Sequence, residues 1–115
     1  MAVLTDYRFG RVRVDGREYH RDLLIFADEI LYPWVRREGH ALYPDDLTWI
    51  IDKGVRVLVI GTGAFGRLRV PEETRKYLNE RGITLVSLPT REAIAEYNRI
   101  CQEANMVGCG LHLTC

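Results

Sequence analysis

Serine is almost missing from this 115-residue chain. Ser87 is the only one, and it lies in an apolar run without the G-x-S-x-G turn that presents a nucleophile, which sets serine catalysis aside. Lysine is nearly as scarce. Lys53 and Lys76 stand against fourteen arginines, a bias toward planar, bidentate pairing that names no ligand by itself. Neither sign of charge is in excess, since sixteen basic and sixteen acidic residues cancel and stay interleaved. No broad field exists to hold a polyanion or an anionic membrane, so neither is expected as a partner. No positively charged start leads into a long apolar run, because Arg8, Arg11 and Arg13 interrupt the first candidate, and a cytoplasmic location is expected. The three cysteines, Cys101, Cys109 and Cys115, are an odd number crowded into the last fifteen positions, unlike a secreted disulfide scaffold. Reduced thiols are the expectation.

What the sequence does contain is the makings of one core. The chain is 47% hydrophobic, 10% aromatic and 28% charged, a soluble globular composition whose length suits a single domain over residues 1–115 that buries about 65% of its unfolded surface. There are no repeats and no low-complexity linker. Gly10 to Val14 alternates polar and apolar residues before Asp15-Gly16, a dipeptide suited to the positive φ angles of a hairpin turn. Leu23 to Phe26 and Ile30 to Val35 repeat the signal, so the first third reads as a small antiparallel meander.

The period then changes. Pro44-Asp45-Asp46 opens a helix of about ten residues that Gly54 ends, and Val55 to Ile60 is an apolar, β-branched strand covered on both faces. Pro71-Glu72-Glu73 opens a second helix stopped by Gly82, Ile83 to Leu88 is another apolar strand, and Thr90 caps a third helix with Ala93, Ile94, Tyr97, Cys101 and Ala104 as its buried stripe. Val107 to Thr114 closes the chain as a strand. A strand, helix, strand succession through residues 55–88 makes its two strands parallel neighbours with their carboxyl ends on one edge. That edge brings the Gly61 to Gly66 loop beside Leu88-Pro89-Thr90, where open α/β sheets bind ligands.

Gly61, Gly63 and Gly66 match G-x-G-x-x-G after a strand, the spacing that lets bare backbone approach a phosphate. The match to a dinucleotide site is incomplete. The third glycine precedes the helix start at Pro71 rather than opening it, and no acid follows at the end of the second strand to take a ribose hydroxyl. A small anion held by the loop's amides beside Arg67 and Arg69 is the intermediate reading, and glycines serving a tight turn the simplest. Cys109, His112 and Cys115 tempt a metal reading, but strand alternation points His112 away from the two thiols and a fourth ligand is missing, so no metal and no cofactor are expected. Thr90 as a cap and Glu92 beside the helix dipole need no function, whereas Asn98 sits mid-helix where its amide either bonds a neighbouring loop or faces solvent. Trp34 reads as core cover, His40 as the edge of a groove, and Arg36 and Arg37 as surface.

Phe9-Gly10, Asp22 to Ile25, Trp34 through His40, Asp46-Leu47, Val57 to Gly63, Leu88-Pro89-Thr90-x-Glu92-Ala93, Tyr97-Asn98 and His112-Leu113-Thr114-Cys115 follow, in order and over nearly the whole chain, the pattern of the Mth-type domain family. The sequence resembles that family, which includes archaeal and bacterial single-domain proteins, an adipogenesis-associated protein and a mitochondrial complex I assembly factor. The resemblance implies an α/β fold of three layers, a β meander packed beside a mixed, mostly parallel sheet flanked by helices. It implies further that the final strand runs antiparallel in the central sheet, carrying Cys115 away from the glycine loop. It supplies no reaction, and what it implies for function is an assembly or interaction role.

No constellation combines nucleophile, base and orienter. The expected function is a non-catalytic binding or assembly module with a protein partner, as monomer or homodimer. The alternative is a small-molecule or anion-binding enzyme that uses Gly61, Thr62, Gly63 and Gly66 with Thr90, Glu92, Asn98 and His112.

Overall fold

The computed structural model describes residues 2–115. A strand that alternation does not reveal begins it: β1 (Leu4–Arg8) pairs antiparallel with β2 (Arg11–Val14), which turns through Asp15-Gly16 into β3 (Arg17–Tyr19). The turn residues have φ of 50° and 85°, the geometry whose twist suits a two-residue hairpin. The register of β1 slips between Thr5 and Arg8, with Asp6 at φ 51°, and that irregularity hides the strand from a period-two reading.

The meander ends there. β4 (Leu23–Phe26) and β5 (Glu29–Leu31), read from sequence as its continuation, instead join a second sheet with β6 (Val57–Thr62), β7 (Thr84–Leu88) and β8 (Val107–His112). Its order is β5-β4-β8-β6-β7. β6 is parallel to both β7 and β8, whereas β4 is antiparallel to both β5 and β8. The implied direction of the last strand is therefore corrected: β8 is antiparallel only to β4 and runs with β6, because the helix after β7 carries the chain back to the same starting edge. Its end lies beside the glycine loop, not away from it.

Three layers follow from how the central strands alternate. Leu23, Ile25, Val59, Cys109 and Leu111 pack under the small sheet and α3 (Thr90–Ile100), whose Ala93, Ile94 and Tyr97 are buried with Cys101 at its C-cap, whereas Ala104, expected on the same stripe, lies past the helix end and is exposed. Leu24, Phe26, Leu58 and Ile60 face the other way, against a 3-10 turn (Pro44–Leu47), the one-turn α1 (Thr48–Ile51) and α2 (Glu72–Glu80). The expected ten-residue first helix is thus split, its opening turn tightened to 3-10 form. On that face β8 presents Gly108 and Gly110, with His112 at its end. A Cβ on Gly108 would stand 2.5 Å from Ile50 Cδ1, and one on Gly110 3.0 Å from the Trp34 ring, so the side chains of this layer lie directly on bare main chain.

Candidate functional site

The carboxyl ends of β6, β7 and β8 share one edge of the central sheet, and there the buried polar side chains of Thr62, Thr90 and His112 come together. Thr90 does not cap α3 with its hydroxyl. Its Oγ1 accepts the Gly63 amide at 2.8 Å and donates to the His112 carbonyl at 2.6 Å, stitching the loop after β6 to the end of β8. Gly61 is the close-approach position, since a Cβ there would stand 2.9 Å from Thr90 Oγ1 and 3.1 Å from Thr90 Cα.

The rest of the loop is taken up by the chain itself. Ala64 donates its amide to the Thr114 carbonyl, Gly66 to Gly63, Arg67 to Cys115 and Leu68 to Thr62, while Thr90 donates its amide to Gly63. Gly63 has φ 103°, and a Cβ on it would overlap the Cys115 carbonyl group. The glycines therefore admit protein backbone at the place where a phosphate-binding loop admits its ligand.

A second cluster adjoins the first. His112 Nδ1 and Arg36 Nη2 both donate to Asp22 Oδ2, each at 2.8 Å, and the Leu113 amide donates to Asp22 Oδ1 at 2.8 Å. Arg36 also donates to the Gly39 carbonyl and lies over the Trp34 ring. Its side chain is only 4% exposed, correcting the surface reading, whereas Arg37 is exposed as expected. Burial works to raise the Asp22 pKa, but the His112 bond, the Leu113 amide and the Arg36 charge outweigh it and hold the carboxyl below its ordinary value. His40 packs edge-on against the His112 ring, and Trp34 is buried with Nε1 donating to the Asp46 carbonyl.

A histidine oriented by a carboxylate is the base half of a hydrolytic centre. Here His112 Nε2 is buried without a hydrogen-bond partner, so no hydroxyl or thiol is engaged as its nucleophile. Cys109 is fully buried under α3, where burial pushes its thiol pKa far up. Among the described residues no three of His, Cys, Asp and Glu converge as a metal set. Asp22 and Arg36 are the members that sequence reasoning missed. Asp22 precedes the apolar Leu23 to Phe26 run by one position, and an acid before a strand and an arginine in the loop after β5 give no local signal of their pairing.

Of the residues singled out from sequence, Gly61, Thr62, Gly63, Gly66, Thr90 and His112 meet at this edge. Glu92 is exposed in the first turn of α3. Asn98 lies further along that helix and bonds the small sheet, its Oδ1 accepting the Leu4 amide at 3.2 Å and its Nδ2 donating to the Leu4 carbonyl at 2.8 Å. Asn98→Ala is expected to cost about 1–3 kcal/mol by leaving those groups unpaired, measured as a lower urea midpoint together with faster hydrogen exchange of the Leu4 amide.

Around the filled loop exposed apolar side chains stand among charged ones, Arg67 and Arg69 of the loop segment included. Phe9 and Phe65 are 58% and 72% exposed and pair their rings at 6.3 Å. The exposed Val35 borders a shallow groove of about 360 Å³ whose walls include Trp34, Leu113 and Thr114. Leu113 is common to both, since its carbonyl accepts the Gly10 amide beside Phe9.

A family model described as a protein of unknown function (DUF498/DUF598) matches residues 4–112. Among solved structures, the conserved hypothetical protein PH1505 from Pyrococcus horikoshii is 26% identical, with 97% of this chain covering 98% of that one at a TM-score of 0.81. A protein called MT938 is 24% identical over the whole of both chains, with a TM-score of 0.79. A Bordetella pertussis protein described as an Mth938-like domain is 16% identical over 97% of this chain and 85% of its own, at a TM-score of 0.69. The last two show the fold alone, and their names agree with the Mth-type resemblance.

Proposed function

Because the chain belongs to the DUF498/DUF598 family of proteins of unknown function, membership carries no reaction with it, and from the geometry we propose a non-catalytic binding or assembly module with a protein partner. One observation carries the reading. The amides of Gly63, Ala64, Gly66, Arg67 and Leu68, which an anion would need, already end on a side chain or carbonyl of this chain. The exposed side chains at that edge include the Phe9 and Phe65 pair and Val35 beside Arg67 and Arg69, and exposed aromatic groups of this kind anchor protein interfaces.

The test has two arms. A panel of phosphates, nucleotides and carboxylates is expected to leave the melting temperature unchanged, while a partner recovered from native lysate binds the Phe9→Ser, Phe65→Ser double variant at least about tenfold more weakly, the loss of 1.4 kcal/mol or more. A thermal shift of several degrees with any of those ligands would replace this reading by the alternative, a small-molecule or anion-binding enzyme at the glycine loop.

A further inference from the structure

The outer side of β7 is the one long sheet edge that the fold leaves undefended. Other edges are short or broken: β3 and β5 have three residues each and carry charges, and β1 is interrupted at Asp6. Such devices are how sheet proteins keep edges from pairing with other chains. β7 has five residues, Thr84 to Leu88, with no charge, proline or glycine among them, and every one is at least partly exposed. No strand among the described residues pairs with its outer side. A cavity of about 430 Å³ between Arg75 and Asn79 of α2 and Ile83, Thr84 and Leu85 adjoins the start of the strand.

The ladder fixes which groups are free. Thr84 donates its amide to the Arg56 carbonyl at 2.9 Å, so Thr84, Val86 and Leu88 direct their main-chain groups toward β6. Leu85 and Ser87 direct theirs outward. The outer edge therefore offers two N–H and two C=O groups, placed symmetrically about Val86.

We infer that β7 pairs antiparallel with β7 of a second copy of this chain, about a two-fold axis through Val86. In that register Leu85 of one copy and Ser87 of the other exchange both of their bonds, and the symmetric pair does the same, so all four donors and acceptors on each edge are used. Val86 meets its own counterpart in the closely spaced, non-hydrogen-bonded position, and Thr84 lies opposite Leu88. No like charges face each other in the strand, and the chain's zero formal net charge leaves identical molecules without long-range repulsion. Two five-stranded sheets become one of ten strands, and because the contact is isologous the assembly stops at two.

Sedimentation at rising concentration is expected to show a mass twice that of one chain. Ser87→Pro deletes an outward N–H while leaving the β6 ladder intact, and is expected to give a monomer with an unchanged circular-dichroism spectrum. Val86→Cys in a Cys115→Ser background is expected to cross-link on mild oxidation, since residues at a non-hydrogen-bonded antiparallel position have Cα atoms about 4.5 Å apart, within disulfide reach. A single-chain mass at every concentration overturns the inference, as does a dimer that survives in folded Ser87→Pro. Should the proline variant fail to fold, the cysteine variant decides: a cross-linked dimer supports the pairing and its absence overturns it.

Discussion

Gly63→Val is expected to lower the melting temperature by about 8 °C or more. Two costs combine at that position. The backbone has φ 103°, a region that a β-branched residue adopts only under strain of about 1–3 kcal/mol, and the new side chain collides with the Cys115 carbonyl group and the edge of the His112 ring, adding about 1–3 kcal/mol of overpacking. In a domain of this size each kcal/mol moves the midpoint by roughly 4–6 °C. The clash is with main chain, which has no alternative rotamer, so the Cys115 segment must leave the loop and give up the bonds from Ala64 and Arg67. Differential scanning calorimetry measures the shift. An unchanged midpoint would show that the loop does not depend on bare backbone.

Removing Asp22 has the second large effect. Asp22→Ala leaves Arg36 and His112 buried without their shared acceptor and frees the Leu113 amide, an expected loss of about 3–5 kcal/mol in urea denaturation. Asp22→Asn keeps the shape but not the charge, and about 1–3 kcal/mol is expected. The pH dependence separates the two causes. The folded carboxyl has its pKa lowered below the ordinary 3.8, so the unfolded chain takes up the proton first as pH falls. The stability contributed by Asp22 is fully present above that ordinary value and disappears as pH drops through the lower folded one. The gap between wild type and Asp22→Asn is therefore expected to narrow on acidification below pH 3.8. A gap that stays constant would mean that the charge contributes nothing.

The sequence and the structure agree best where a local signal has one physical cause. The Asp15-Gly16 hairpin, the apolar run of β6 and the glycine that stops α2 each follow from backbone stereochemistry or two-sided burial within a few residues. The parallel β6 and β7 pairing followed from their helical connection. The same logic applied to β7, α3 and β8 gives the parallel direction that the family resemblance obscured. β4 and β5 were misplaced because alternation tells that a strand exists, not which sheet it joins. The glycine loop was legible as a place of close approach, but a sequence does not say whether a ligand or the protein's own backbone comes close. Arg36 carries no local sign of burial because its acceptors are Asp22, fourteen positions earlier, and the Gly39 carbonyl; only the folded chain brings Asp22 and His112 to it.

The strand order has a kinetic side. β8 is the last strand of the described residues and the middle one in its sheet, and neither β4 nor β5 pairs its main chain with β6 or β7. The β5-β4 and β6-β7 halves of the sheet cannot be joined until residues 107–112 are present. That joint pairs β4 with a strand some eighty positions away, a non-local closure whose entropic cost slows folding.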